Sequence, residues 1–586
     1  SVVVAASNQG PDITCASPLQ GEMVHAAPGS SVSFTGSVLD GNGVASLKVN
    51  GTSVAIGANG AFSVPLTVRY GINRVSLLAV DDTGFESTRT CAFLANDLWA
   101  PEDQPRVAAS YALFPGAIED GDRSGPVDAL ADLLALAANA SAFTAKNDAS
   151  FKAINPWKAD SCDSQICLRT GACSCLVRSA VSYQSLSLPR ARVVAAALVA
   201  DGISVTTTVP SVVLSMKVEG AANTVPFSTN FSITYPNLSV TAVYDVKLSG
   251  GLPHVSLRAG SQSASLGNPS VAGSTNLWLN SNVLGPVATG HAATVRTTLA
   301  NQLVDDQKVI LDAVLSSLGV APASANVARL DGSGGFALGL STSYPSVSTS
   351  AARVLFALGT RFNVVAAHNR ASLGVAIPAG AVPLDIPASN SANVATALHA
   401  SMLEQKAHAL WRAGFYDVTL DGAQISGAVA SSVSAQISAP LPPVFDVQST
   451  GTVELAFGAL GLELSMPSLW SGARGMDLSA RVTGTAALVG QGVSVTNLVL
   501  SELSYGAGRF KLTDTQRSQV EAALEALVLK LAQATVAAQP ALPLGRFTVG
   551  ASLAPYGLGA MQLGVSTPTL SVQSEHAVVR GSFGAP

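Results

Sequence analysis

The 586 residues are 48% hydrophobic, 12% charged and 5% aromatic, with a formal net charge of −5 and a mean hydropathy of +0.37. The charged fraction is about half the ~25% usual for soluble domains, yet no apolar run approaches the ~18 residues that span a bilayer, so the hydrophobicity is spread along strands in a chain long enough for several domains. An acidic chain without clustered Lys and Arg excludes nucleic acid as the expected partner and strong attraction to anionic lipid.

Residues 1–96 have the rhythm of short strands broken by turn residues, as in SVSFTGSVLDGNG and GAFSVPLTVRYGINRVSLLAVDDTG, which predicts an all-β sandwich. Cys15 and Cys91 flank it and are expected to pair. Asp40, Asp81 and Asp82 sit in its turns; calcium binding is one reading, and the turn-forming habit of Asp is the favoured one. The stretch LANDLWAPEDQP then opens a linker, 97–107.

A second unit, 108–330, opens with Val127, Leu130, Leu134 and Ala138 at helical spacing and Ser124 near the cap. Cys162, Cys167, Cys173 and Cys175 crowd into CDSQICLRTGACSC with intervening gaps of four, five and one residues. Zinc sites use pairs separated by two to four residues, so disulfides are expected. A Cys173–Cys175 bond would be strained; the two remaining pairings both join Cys162 and Cys167 to Cys173 and Cys175. The apolar run Val193 to Ala200 reads as a buried strand or helix turn. Leu238, Val240, Ala242, Tyr244, Val246 and Leu248 alternate with Ser239, Thr241, Asp245 and Lys247, a strand with one face to cover. The expected cover is a helix from His291 to Leu318 carrying Leu299, Leu303, Ile310, Val314 and Leu318. Ala321 to Gly335 reads as a connector.

The third unit, 331–586, repeats the plan, with strands at Val354–Leu358 and Leu373–Ile377, a helix over Asn393–Ala413, further strands, and a helix from Thr513 to Val536. Val453, Leu455 and Phe457 alternate with Thr452, Glu454 and Ala456; after Gly458-Ala459 the beat resumes at Leu460, Leu462, Leu464 and Met466, so a bulge is expected there. Thr513 and Gln516 are placed as a capping box before Val520, Leu524, Leu527 and Leu531.

The quoted strands of 1–96 resemble bacterial immunoglobulin-like modules, which serve as spacers or interaction surfaces. LHASMLEQKAHALWRAGFYDVTL, PPVFDVQSTGTVELAFGALGLELSM, the helix ending in AAQPALPLGRF, and TPTLSVQSEHAVVRGSFG together resemble the C-terminal barrel of the bactericidal/permeability-increasing protein family, in the TULIP lipid-binding superfamily. VLGPVATGHAATVRTTLANQLVDDQKVILDAVLSSLG is similar to the long helix of that family's N-terminal barrel, so the resemblance spans Ala108 to Gly584. It implies a mainly β fold with long helices: the sandwich, then two tubes in a boomerang, each a curved antiparallel sheet wrapped on a helix and holding lipid acyl chains. Two departures stand out. Arg169, Arg178, Arg190 and Arg192 form only a loose set where endotoxin-neutralising members are strongly basic, and the family's disulfide between helix and sheet has no counterpart here.

The candidate groove residues are Leu299, Leu303, Ile310 and Val314 in the first barrel, and Leu398, Met402, Leu403, Leu455, Phe457, Leu524, Leu527 and Leu531 in the second. Ordinary core packing is the competing role of each. No GxSxG, HExxH or GxxxxGK[ST] motif occurs, His399 and His408 lack a metal-ligand pattern, and Asp305-Asp306 reads as a solvated face; no enzyme, metal or cofactor is expected beyond a bound lipid. The expectation is an exported lipid carrier, periplasmic, outer-membrane-associated or extracellular, touching membranes transiently, with a protein partner possible through the sandwich. From Ser1 the sequence shows no basic n-region and apolar h-region, so any export signal is expected to have been removed or to lie outside these residues. The alternative is an adhesive or structural surface protein with filled barrels.

Overall fold

The computed structural model describes residues 9–585 except 123–124, 191, 318–322, 366–367, 369, 381–385, 387–391, 426–431, 491, 539–546, 557–558 and 560. The expected cap at Ser124 and the helix end at Leu318 lie outside the described residues.

The short strands of the N-terminal region make two facing sheets. Asp12–Ser17, Ser31–Leu39 and Ala61–Thr67 form one; Met23–His25, Glu86–Asn96, Gly71–Asp81, Val44–Val49 and Thr52–Val54, in that order, form the other. Phe34, Val38, Val75, Leu77 and Phe93 fill the space between them, and Cys15–Cys91 ties one sheet to the other. Asp81 accepts from the backbone N–H groups of Thr83 and Phe85, and Asp40 from that of Asn42, so both carboxylates act as turn formers.

Among the described residues, the longer helices of the rest of the chain are α1 (Leu130–Ala138), α2 (Ser141–Lys152), α3 (Gly285–Ser316), α4 (Ser401–Arg412) and α5 (Asp514–Ala537), with short helical turns besides. Two curled half-barrel sheets follow, and α3 packs on one and α5 on the other. The first consists of Lys158–Cys167, Cys173–Ser187, Gly202–Ala222, Val225–Ser249 and Leu252–Leu257, with Val193–Val199 paired to Gly202–Ala222; α3 lies across its apolar face. The second consists of Val418–Asp421, Ser434–Ser438, Thr452–Ser465, Ala473–Val489 and Gly492–Gly506, with Val444–Val447 paired to Thr452–Ser465, and α5 lies against the strands Ala473–Val489 and Gly492–Gly506. Thr513 caps α5 with Gln516 reciprocating, as the spacing predicts.

A third sheet stands between the two. Its order is Ala323–Ala328, Gly335–Ser350, Arg353–Val364, Arg106–Leu113, Val394–His399, His576–Gly584, Met561–Gln573 and Phe547–Val549. It draws strands from both sides of position 330/331, and Arg106–Leu113 is hydrogen-bonded to two strands beyond that position.

Three expectations change. Val394–His399 is a strand, and only Ser401–Arg412 is helical: VATALH is buried between two partner strands, where backbone pairing outweighs a pattern that also fits a helix. The 321–335 connector contains the strand Ala323–Ala328. Leu373–Ile377 contributes only Val375–Ala376, which pairs with Trp99–Ala100. That pairing means the 97–107 stretch is strapped down rather than loose.

The sandwich sits on the outside of the second half-barrel. Phe457 and Leu460 flank the expected bulge, where Ala459 takes a φ of 56°, and Gly458 there faces Ile72 of the sandwich. A Cβ at Gly458 would lie 2.5 Å from Ile72 Cγ2, so only glycine admits this approach. Around it Arg481 pairs with Glu454 and, at 3.1 Å, with Glu502, while Arg74 reaches Glu502 at 2.7 Å. Thr88 and Gly508 exchange backbone hydrogen bonds of 3.1 Å.

Candidate functional site

The first half-barrel interior is built by period-two strands facing a helical stripe. Leu238, Val240, Ala242 and Tyr244 point inward from Val225–Ser249, and Leu299, Leu303, Ile310 and Val314 of α3 pack into the same continuous apolar core. Polar rungs cross it at fixed heights. The Tyr235 hydroxyl donates to the Ala288 carbonyl (2.6 Å), and that of Tyr244 lies 3.0 Å from the Val304 carbonyl and 2.7 Å from Gln307 Oε1. Gln307 in turn donates to Thr207 at 2.7 Å. Burial pushes both tyrosines well above their ordinary value, so they stay neutral donors.

In the second half-barrel, Met402, Leu455, Phe457, Leu524, Leu527 and Leu531 share one core, with half-buried Leu398 and Leu403 packed against it. Leu398 also touches the first core, being on the sheet between them. The twelve candidate residues are thus gathered into two apolar interiors. Tyr416 lies 3.1 Å from Thr535, and Lys406 donates to the Val536 carbonyl at the C-terminal end of α5 at 3.2 Å; burial pushes that ammonium down to about 7.

One end of the first half-barrel exposes apolar side chains. Ile166 and Leu168 are 54% and 65% exposed at the turn of the hairpin that Cys162–Cys175 and Cys167–Cys173 brace, a pairing of the expected kind. Val225, 66% exposed, is at the next turn, tied to that hairpin by the Asn223 N–H on the Leu176 carbonyl (2.9 Å). Ser270–Ala272 runs antiparallel to Val225–Ser249 and heads for the same end, delivering Leu277, 80% exposed, just before α3. Alternation alone does not mark these residues, because only the register shows that their segments run toward one end of the sheet.

Several charged or titratable residues singled out in the sequence are internal. Arg192 is buried, donating to the carbonyls of Ala138, Leu188 and Pro189 over the Phe143 ring, so the loose arginine set loses one member to the scaffold. Asp306 is buried and not a solvated face: Lys146, Gln302 and Tyr556 converge on it at 3.1, 2.8 and 2.8 Å. His399 and His408 are buried too, and burial pushes both down to about 4. On α4, Glu404, Gln405, Lys406 and His408 are all buried, and their partners come from distant segments on several sides of the helix. Among the described residues, the carboxylates that come close enough to share an ion are Asp120, Asp128 and Asp132, and Asp132 also accepts from the Ala129 backbone N–H at 3.1 Å.

Comparison with known proteins touches both parts of the chain. The family model of glucodextranase domain B matches residues 11–96, the span of the sandwich. No curated protein matches the sequence. Among solved structures, the chain is similar to a lipopolysaccharide binding protein at 11% identity, with 82% of this chain and 98% of that one covered and a TM-score of 0.44. It is also similar to P47 of Clostridium botulinum E1 (6% identity, 81% and 99% covered, TM-score 0.21) and to the fibronectin(III)-like modules of Clostridium thermocellum CbhA (15% identity, 14% and 96% covered, TM-score 0.12).

Proposed function

We propose that this chain is an exported, non-catalytic lipid-binding protein of the TULIP type, which admits acyl chains between helix and curled sheet and carries them through an aqueous compartment. The observation that carries this reading is the exposed apolar end of the first half-barrel. Ile166, Leu168, Val225 and Leu277 stand in solvent at the end where α3 begins, and the apolar stripe of that helix continues inward from there. Solvated apolar side chains gathered at one place mark contact with an apolar partner. Three disulfides fit an oxidising compartment.

The energetics favour exchange over permanent anchoring. Roughly thirty buried methylenes would hold a lipid by about 20 kcal/mol against water, at about 0.8 kcal/mol each. In a bilayer those methylenes are already dry, so transfer between bilayer and barrel is close to balanced and the protein's contribution is to shield the chains in transit.

A second reading, a structural or adhesive surface protein with filled barrels, draws on a different observation: the candidate lining residues pack against one another, all buried apart from half-buried Leu398 and Leu403. Mass spectrometry of organic extracts from protein purified without detergent, beside a delipidated and refolded control, separates the two. Stoichiometric lipid supports the carrier. A clean extract together with no uptake from vesicles supports the filled scaffold.

A further inference from the structure

At the edge of the second apolar interior, a cleft of about 180 Å³ opens between the strapped segment after the sandwich, α4 and Arg353–Val364. Its wall is fixed. Trp99–Ala100 pairs with Val375–Ala376, and Asn96 donates to the Ile377 carbonyl at 2.9 Å. Three guanidinium groups line it, those of Arg106, Arg361 and Arg412. Glu102 is the inner carboxylate and is already engaged, with Arg412 Nε at 3.1 Å and His408 Nε2 at 3.5 Å; Asp103 stands on the exposed rim. Arg361 donates to the Glu102 carbonyl at 3.2 Å. Arg106 reaches no acceptor among the described residues, so even counting Asp103 the cleft keeps one positive charge in excess.

A second, independent feature points to the same chemistry. Gln405 is 6% exposed and lines the cleft; its Oε1 takes the Thr360 hydroxyl at 3.4 Å, but its Nε2 has no acceptor among the described residues. A buried donor without a partner costs about 1–3 kcal/mol, so such groups are normally satisfied by something. The volume equals about six waters, enough for a compact group of several non-hydrogen atoms. A molecule that supplies acceptors to Gln405 and negative charge to Arg106 meets both needs at once, and guanidinium forks suit oxyanions.

We infer that this cleft is a binding site for a compact oxyanion, phosphoryl or carboxylate, held by Arg106, Arg361 and the Gln405 amide. It stands independently of the lipid reading. The test is calorimetric titration of the full chain at fixed ionic strength with inorganic phosphate, glycerol 3-phosphate and acetate, beside the variants Arg106→Gln and Arg361→Gln and, as a control, exposed Arg517→Gln. Saturable binding of at least one probe, weakened at least ~tenfold in either cleft variant and unchanged in R517Q, is the expected result, as loss of a charge-assisted hydrogen bond gives. No saturable binding of any probe, or equal affinity in all three variants, overturns it and leaves the cleft filled by water. Flotation with phosphatidylglycerol vesicles then distinguishes the sources of the oxyanion. Flotation lowered by R106Q and competed by glycerol 3-phosphate assigns it to a lipid headgroup, and binding of soluble probes alone assigns it to a free metabolite.

Discussion

Glu575 sits in the turn joining two strands of the shared sheet, near Glu404 and Asp446 and close to Tyr70 of the sandwich. Burial, reinforced by the Asp446 charge, raises its carboxyl to about 7, and burial raises Glu404 as well. An acid with a raised folded-state pKa holds its proton more tightly folded than unfolded. Its contribution to stability is therefore fully present below about 4.5 and is lost as the pH climbs to about 7. Glu575→Gln mimics the protonated form, so the variant should match the native chain near pH 4.5 and exceed it above pH 7, by on the order of 1 kcal/mol because the group is partly solvated. Thermal melts across that range check this; a constant gap between the two proteins would sink it. In the barrels, Leu303 and Leu527 are the positions where a charge should abolish lipid retention while the sandwich stays folded, read by extract mass spectrometry and by proteolytic survival of residues 11–96. Retention unchanged in both variants would argue against these grooves. Leu303→Ala should cost roughly 2–5 kcal/mol by cavity formation even without a charge.

At the scale of elements, regular patterns were legible and remote partners were not. The alternation from Leu238 to Val246, the Thr513–Gln516 box and the Gly458-Ala459 bulge all appear as local spacing predicts, because each rests on contacts within one element or one turn. The buried polar residues of α4 were hidden because their partners are far along the chain: Glu404 meets the Phe445 N–H, Gln405 meets Thr360, and His408 meets Ser372 and Glu102. Charged residues on a helix read as solvated until something covers them, which is also why Asp306 was expected on a solvated face. The bulge shows both sides of this. Its position was local information, but its purpose lies in the approach of Ile72, which no sequence spacing encodes. Gly458→Val should push the sandwich off the second half-barrel, lowering the melting temperature by several degrees, as a loss of 1–3 kcal/mol from overpacking would. It should also speed protease cleavage within 97–107. Native-like resistance with an unchanged melt would mean that this contact does not hold the sandwich.

For the whole molecule, the decisive feature is the sheet shared between the halves. Arg106–Leu113 enters its centre from the beginning of the barrel region, between Arg353–Val364 and Val394–His399, and the last strand, His576–Gly584, closes beside Val394–His399. One face feeds the first core through Tyr111, Phe356 and Val579, while Ala108, Leu340 and Phe362 join the second. Unfolding either half would therefore strip paired backbone and apolar cover from the other, where unpaired buried N–H and C=O groups are costly. The two half-barrels should then unfold as one cooperative unit. Calorimetry should show a single barrel transition whose van't Hoff and calorimetric enthalpies agree, and residues 108–330 expressed alone should not fold, because Arg106–Leu113 would have lost both neighbouring strands. Two separate barrel transitions, or a stable 108–330 fragment, would show that the shared sheet does not couple them. The coupling bears on lipid exchange as well. On the carrier reading, parting α3 from its sheet would disturb the first core, which the shared sheet borders together with the second, so loading of one barrel should alter hydrogen exchange in the other half. Protection changes confined to the loaded half would place the two barrels in separate cooperative units.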